Sequence, residues 1–113
     1  MPDTDTDVVV VLTTLPAGET GDEAVAFARA LVDERLAACV SAFAPMTSVY
    51  RWKTAVETEA ERQVVVKTTR SQLPRLEARL RALHPYELPE LIVLSAAAGK
   101  AYGDWVRDAV SDR

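Results

Sequence analysis

This 113-residue sequence is poor in the side chains most soluble chemistry relies on: it has one cysteine, one histidine and no asparagine. A lone cysteine excludes an internal disulfide and any Cys-rich zinc framework, and it fits a reducing compartment. The four glycines are scattered at 18, 21, 99 and 103, so no glycine-rich loop cradles a phosphate. There is no G-x-S-x-G nucleophile elbow. No apolar run approaches the roughly 20 residues of a membrane span. The opening MPDTDTD lacks the basic-then-apolar order of a secretory signal. Basic charge is also short: 13 Lys and Arg stand against 17 Asp and Glu, a net charge of −4. That sign disfavours a nucleic-acid partner, whose phosphates attract a basic face. These absences predict a cytoplasmic protein with no membrane insertion and no enzymatic machinery.

What is present suits one globular domain over residues 8–113, with residues 1–7 expected to be a flexible tail. VVVVLTT (8–14) is a β-branched run and predicts a buried strand. Ala24, Phe27, Ala28 and Leu31 fall on one face of a helix over 19–35, and Thr20 and Glu23 have capping-box spacing. LAACVSAFA (36–44) and MTSVYRW (46–52) predict strand on both sides of Pro45. The polar stretch 53–61 predicts a hairpin connection and RQVVVKTT (62–69) another strand. Ser71 is the expected cap of a second helix carrying Leu73, Leu76, Leu80 and Leu83, with Pro74 in its first turn. ELIVLS (90–95) predicts the last main strand. KAYGDWVRDAV (100–110) predicts a third helix with Tyr102, Trp105, Val106 and Ala109 on one face. The fold class is therefore α+β: a ferredoxin-like β-α-β-β-α-β order, an antiparallel sheet and a C-terminal helix.

The strands do not alternate. VVVVL, VVV and LIVL make both sheet faces apolar, whereas two helices cover only one. Other copies of the chain, or the third helix folded back, must cover the second face.

Candidate chemistry is sparse. Cys39 reads as a packed small hydrophobe or as a soft thiolate ligand. His84 precedes Pro85, so it ends its helix for a steric reason; it is either a capping residue or a ligand. Pro85 and Pro89 stiffen PYELP. If that segment is extended, Tyr86 and Leu88 face one way and Glu87 the other. Tyr50 and Trp52 share a strand face beside the hairpin, which suits a partner contact or a pocket. Lys67, following three valines, needs a partner or a path to water.

ERLAACVSAF, TSVYRWK, EAERQVVVKTTRS, LHPYELPELIVL and YGDWV occur in series. Together they resemble the CutA divalent-cation tolerance family over about Val8–Val110. The resemblance implies a ferredoxin-like subunit in a homotrimer and a role in tolerance to divalent metals, copper above all. It implies metal contacts at Cys39 and His84; because these give at most two ligands per chain, modest binding and no obligatory cofactor are expected. It also implies intersubunit clefts lined by Trp52, Glu61, Lys67, Tyr86 and Trp105. Thr54 and Ala55 stand where relatives often have Gly-Lys, which leaves the turn type of the hairpin open. The alternative is a trimeric regulator similar to the PII proteins, binding a small anionic metabolite between subunits. An acylphosphatase-type hydrolase of the same fold class would need an asparagine to position water, and the chain has none.

Overall fold

The structure, a computed structural model, describes residues 4, 5 and 7–111. Its elements are β1 (Thr4–Asp5), β2 (Val8–Pro16), α1 (Asp22–Asp33), β3 (Cys39–Ala42), β4 (Met46–Trp52), β5 (Ala55–Thr69), a 3-10 turn (Arg70–Gln72), α2 (Leu73–Leu83), β6 (Ile92–Ser95), β7 (Ala98–Gly99) and α3 (Lys100–Ala109). The main sheet runs β3-β5-β2-β6, with β4 pairing the far half of β5. Every pairing is antiparallel. The predicted order of elements is thus present, with β3 and β4 dividing the second strand at Pro45. Two short strands were not anticipated. Thr4–Asp5 pairs Ala98–Gly99, so part of the expected N-terminal tail is strand. The rest of that expectation, at residues 1–3 and 6, lies outside the described residues.

Alternation along β2 and β5 sorts the sheet faces. Val11, Leu15, Val64 and Val66 join Ala24, Phe27 and Leu31 of α1 and Leu76 and Leu80 of α2 in the main core. Leu31, Leu76 and Leu80 have no exposed surface, and burying each contributes about 2–3 kcal/mol. The predicted capping box does not form. Gly21 caps α1 with φ +83°, and the Thr20 hydroxyl accepts only the Asp22 amide at 3.3 Å, because the chain enters the helix from a left-handed residue that only glycine adopts without strain. A Cβ there would also crowd the Arg62 guanidinium at 3.1–3.3 Å. α1 ends in a Schellman arrangement: the Leu36 amide reaches the Leu31 carbonyl and the Arg35 amide that of Val32, with Arg35 at φ +60°. At α2 the 3-10 turn precedes the helix, so Gln72, not Ser71, stands at its start.

The opposite sheet face is shared unequally. α3 packs there through Val106 and Val110 against Val8 and Ala38. Its inward residues are Gly103 and Val106, while Tyr102 and Trp105 stay exposed, unlike the face read from periodicity. The helix covers one end only. Ile92, Val93 and Leu94 of β6 remain between 41% and 46% exposed. A helix of ten residues is about 15 Å long, too short to shield the whole sheet.

The hairpin also differs from the predicted loop. Its connection is only Lys53–Thr54, since Trp52 pairs Ala55, and β5 runs unbroken for 15 residues. Lys53 carries a positive φ of 57°. Residues 55–61 are strand because pairing with β4 holds them, and all but Glu57 and Glu61 are exposed.

Candidate ligand-binding cleft

The projecting ribbon and the segment after α2 enclose a cavity of about 720 Å³. That volume lies in the usual range for small-molecule sites. One wall comes from β4 and β5: directly opposed residues share a face, so Met46 stands with Glu61, Ser48 with Glu59, Tyr50 with Glu57 and Trp52 with Ala55. The other wall is residues 85–90. This segment is bent, so Tyr86, Glu87 and Leu88 all line the cavity, in contrast to the alternation expected of a strand. Gln63 and Thr14 form the floor.

Three carboxylates reach this space: Glu61, Glu87 and Glu90. No Lys or Arg lines it. Glu61 is only 6% exposed, and its Oε2 accepts the Tyr86 hydroxyl at 2.7 Å. Its other oxygen accepts no hydrogen bond among the described residues. Gln63 Nε2 donates to Glu90 Oε2 at 2.9 Å and to the Thr13 carbonyl at 2.8 Å. Partial burial, and then the hydrogen bond to Glu61, push the Tyr86 phenol far above its ordinary pKa. The Tyr50 phenol is raised too, first by partial desolvation and then by the charges of Glu59, Glu61 and Glu57.

His84 sits behind the second wall, 8% exposed. Its Nε2 lies 2.7 Å from the Thr14 carbonyl, and its Nδ1 accepts the Tyr86 amide at 3.1 Å. An accepting Nδ1 fixes the neutral tautomer with Nε2–H donating. Burial lowers its pKa against the opposing pull of the Thr14 carbonyl and the Glu61 charge. The ring packs against Tyr86 at 4.9 Å and meets the Phe27 ring at 6.1 Å, nearly edge-on. His84 therefore holds the segment that presents Tyr86 to Glu61.

Cys39 lies elsewhere. It is half-buried on β3 opposite Lys67, with Sγ 3.9 Å from Ser41 Oγ. Thr14, which His84 grips, pairs Gln63, four residues along β5 from Lys67, and on the far side of β5 from β3. Strand geometry puts the two sites on the order of 15 Å apart. Both His84 ring nitrogens are engaged, so the pair does not fit one metal shell within a single chain. No group of three or more His, Cys, Asp or Glu among the described residues is placed to hold a metal ion.

Of the five cleft residues implied by the resemblance, Trp52, Glu61 and Tyr86 line one cavity. Lys67 and Trp105 do not. The Lys67 ammonium rests 5.8 Å from the Tyr102 ring centre, and Trp105 packs against Tyr102 at 5.4 Å, beside α3. The sequence marks Glu87 with Tyr86 on the stiff PYELP segment, but facing the other way; Gln63, Glu90 and Met46 are not singled out as site residues. The period of two from Glu61 points to Gln63. The other two become visible only once the segment 85–90 folds against the ribbon.

Comparison with known proteins agrees over nearly the whole chain. The family model described as CutA1 divalent ion tolerance protein matches residues 9–109. A divalent-cation tolerance protein CutA of Thermus thermophilus is 46% identical over 100 residues, covering 88% of this chain and 94% of that one. A human protein CutA is 43% identical over 89 residues, of which the chain spans half the length. The solved structure of CutA from Synechococcus elongatus superposes with a TM-score of 0.86 at 42% identity, covering 96% of each chain. Relatives in rice and Arabidopsis are named chloroplastic, and an Archaeoglobus fulgidus structure is named periplasmic. Among the described residues no helix is long and apolar enough to cross a membrane. With the family model spanning residues 9–109 and the identity reaching 46%, the chain belongs to the CutA1 divalent ion tolerance family.

Proposed function

We propose that the protein is a non-enzymatic, ferredoxin-like subunit of a cytoplasmic homotrimer that serves tolerance to divalent metal ions, copper foremost, and binds them modestly. The observation that carries this reading is the cleft: Glu61, Glu87 and Glu90 face a cavity with no Lys or Arg in its lining, so it concentrates cations. Self-assembly is supported by the half-covered sheet, whose edge strand leaves Ile92, Val93 and Leu94 open to water. The cytoplasmic assignment rests on the single cysteine, which fits a reducing compartment. Relatives named chloroplastic or periplasmic place the same scaffold in other compartments. Cys39 stays available as a soft contact, and a neighbouring subunit would have to complete its shell. His84 would have to release the Tyr86 amide before ligating. The anionic-metabolite reading has no comparable support, because Lys67 is turned to Tyr102 and outside the cavity.

Copper titration against a competing chelator, in both oxidation states, tests the proposal. The series is the unmodified protein, Cys39→Ala, His84→Ala and Glu61→Gln, with oligomer mass measured alongside. Modest binding that falls in Glu61→Gln while the trimer mass holds is expected. A monomer in solution, or copper binding indifferent to all three changes, overturns it.

A further inference from the structure

We infer that residues 85–90 form an autoinhibitory strap along the cleft: Tyr86 and Gln63 already occupy the carboxylates of Glu61 and Glu90, and a cation that takes those carboxylates releases the strap. This deepens the cation-facing reading of the cleft and rests on it. The two fastenings run crosswise. The Tyr86 hydroxyl, on the strap, donates to Glu61 Oε2 of β5 at 2.7 Å, and Gln63 Nε2 of β5 donates to Glu90 Oε2, on the strap, at 2.9 Å. Glu61 and Gln63 are two residues apart on β5 and share a face, so both bonds close the same side of the cavity. Both lie within one chain, so neither depends on a second copy bordering the cleft.

Little else holds the strap. Pro85 and Pro89 have no N–H, and among the described residues 85–89 make no backbone–backbone hydrogen bond. The Tyr86 amide donates to His84 Nδ1 at 3.1 Å, and His84 Nε2 is tied to the Thr14 carbonyl, so the chain is pinned at its α2 end. Beyond that hinge the fastening is through side chains, and Glu87 and Leu88, between the two fastenings, are exposed. A segment with so few backbone bonds opens locally at low cost. With Oε2 bonded to the phenol, nearly buried Glu61 offers a cation one oxygen and a partly screened charge, which keeps binding modest. A cation gripping both oxygens must expel the phenol. By linkage, strap and cation then weaken one another by the same factor.

The test is copper(II) titration of the intact oligomer against a competing chelator, joined to deuterium exchange of peptides spanning residues 84–91, read by mass spectrometry with and without copper(II). Tyr86→Phe is expected to bind copper(II) about tenfold tighter, because the competing state loses a hydrogen bond to a charged group. Its strap should exchange roughly fivefold faster. Gln63→Leu, which frees Glu90, should tighten binding about threefold. In a Glu61→Gln background Tyr86→Phe should no longer change copper(II) affinity, the signature of competition at one carboxylate. Saturating copper(II) should speed strap exchange in the unmodified protein. Glu34→Gln, a glutamate between α1 and α2 that binds Arg79, should alter neither readout. Copper(II) binding that Tyr86→Phe leaves unchanged or weakens, or strap exchange that copper(II) leaves unchanged or slows, overturns the inference and leaves the proposed function standing. Copper(II) that binds no variant overturns both.

Discussion

Replacing His84 by Phe isolates the role of the only histidine. The ring shape is kept, so contacts with Phe27 and Tyr86 survive, and two hydrogen bonds are lost. The Thr14 carbonyl loses its imidazole donor and the Tyr86 amide its acceptor. An unsatisfied buried group costs about 1–3 kcal/mol; Thr14 is buried, whereas Tyr86 is half-exposed and recovers part of its loss from water. The expected destabilisation is about 3 kcal/mol, read by urea unfolding at pH 7.5 at one protein concentration, because assembly links stability to concentration. A pH series adds a signature that packing loss lacks. Burial lowers the folded pKa of His84, so below about pH 6.5 the unfolded chain takes up the proton first. This contribution is full above that pH and falls as pH drops toward the folded value, with a slope of at most about 1.4 kcal/mol per pH unit. His84→Phe lacks that slope, so subtracting the two curves removes the carboxylate titrations common to both. A loss below about 0.5 kcal/mol at pH 7.5, or parallel curves between pH 5 and 6.5, refutes the anchoring role.

Tyr86→Phe leaves nearly buried Glu61 without its phenol donor and should cost about 1–2 kcal/mol in urea unfolding, an effect that vanishes in a Glu61→Leu background if the hydrogen bond is the cause. Thr13 is fully buried and its Oγ1 has no partner among the described residues, so Thr13→Val should raise stability by about 1 kcal/mol on the same assay. Leu80→Ala, at the contact of α2 with the sheet, should cost about 3 kcal/mol through cavity formation. Arg79→Ala should cost under about 1 kcal/mol despite its paired bonds to Glu34, because both partners are about 41% exposed and screened.

Most of the secondary structure was legible. The leucine stripe of α2 and the Ala24-Phe27-Leu31 face of α1 are buried as their spacing requires, because helix periodicity states which side meets the core. Errors fell where a local signal competes with a distant partner. Residues 55–61 look like a polar loop but are strand, held by pairing with β4. Thr20 and Glu23 have capping spacing, yet left-handed Gly21 takes the cap. Tyr102 and Trp105 read as sharing a face of α3 with Val106, but both stay exposed while Val106 is buried.

The sequence by itself determined the α+β class, the order of the main elements and the family, because those depend on apolar period and on motifs contiguous in the chain. It also singled out Trp52, Glu61 and Tyr86. Only the tertiary structure decided that these three share a cavity while Lys67 and Trp105 do not, and that Cys39 and His84 stand apart. Those facts depend on strand register and on the path of a bent segment, which set neighbours far apart in sequence side by side. The same holds for the lowered pKa of His84: it follows from burial against Phe27 and beside Thr14, residues distant in the chain, which no local pattern encodes.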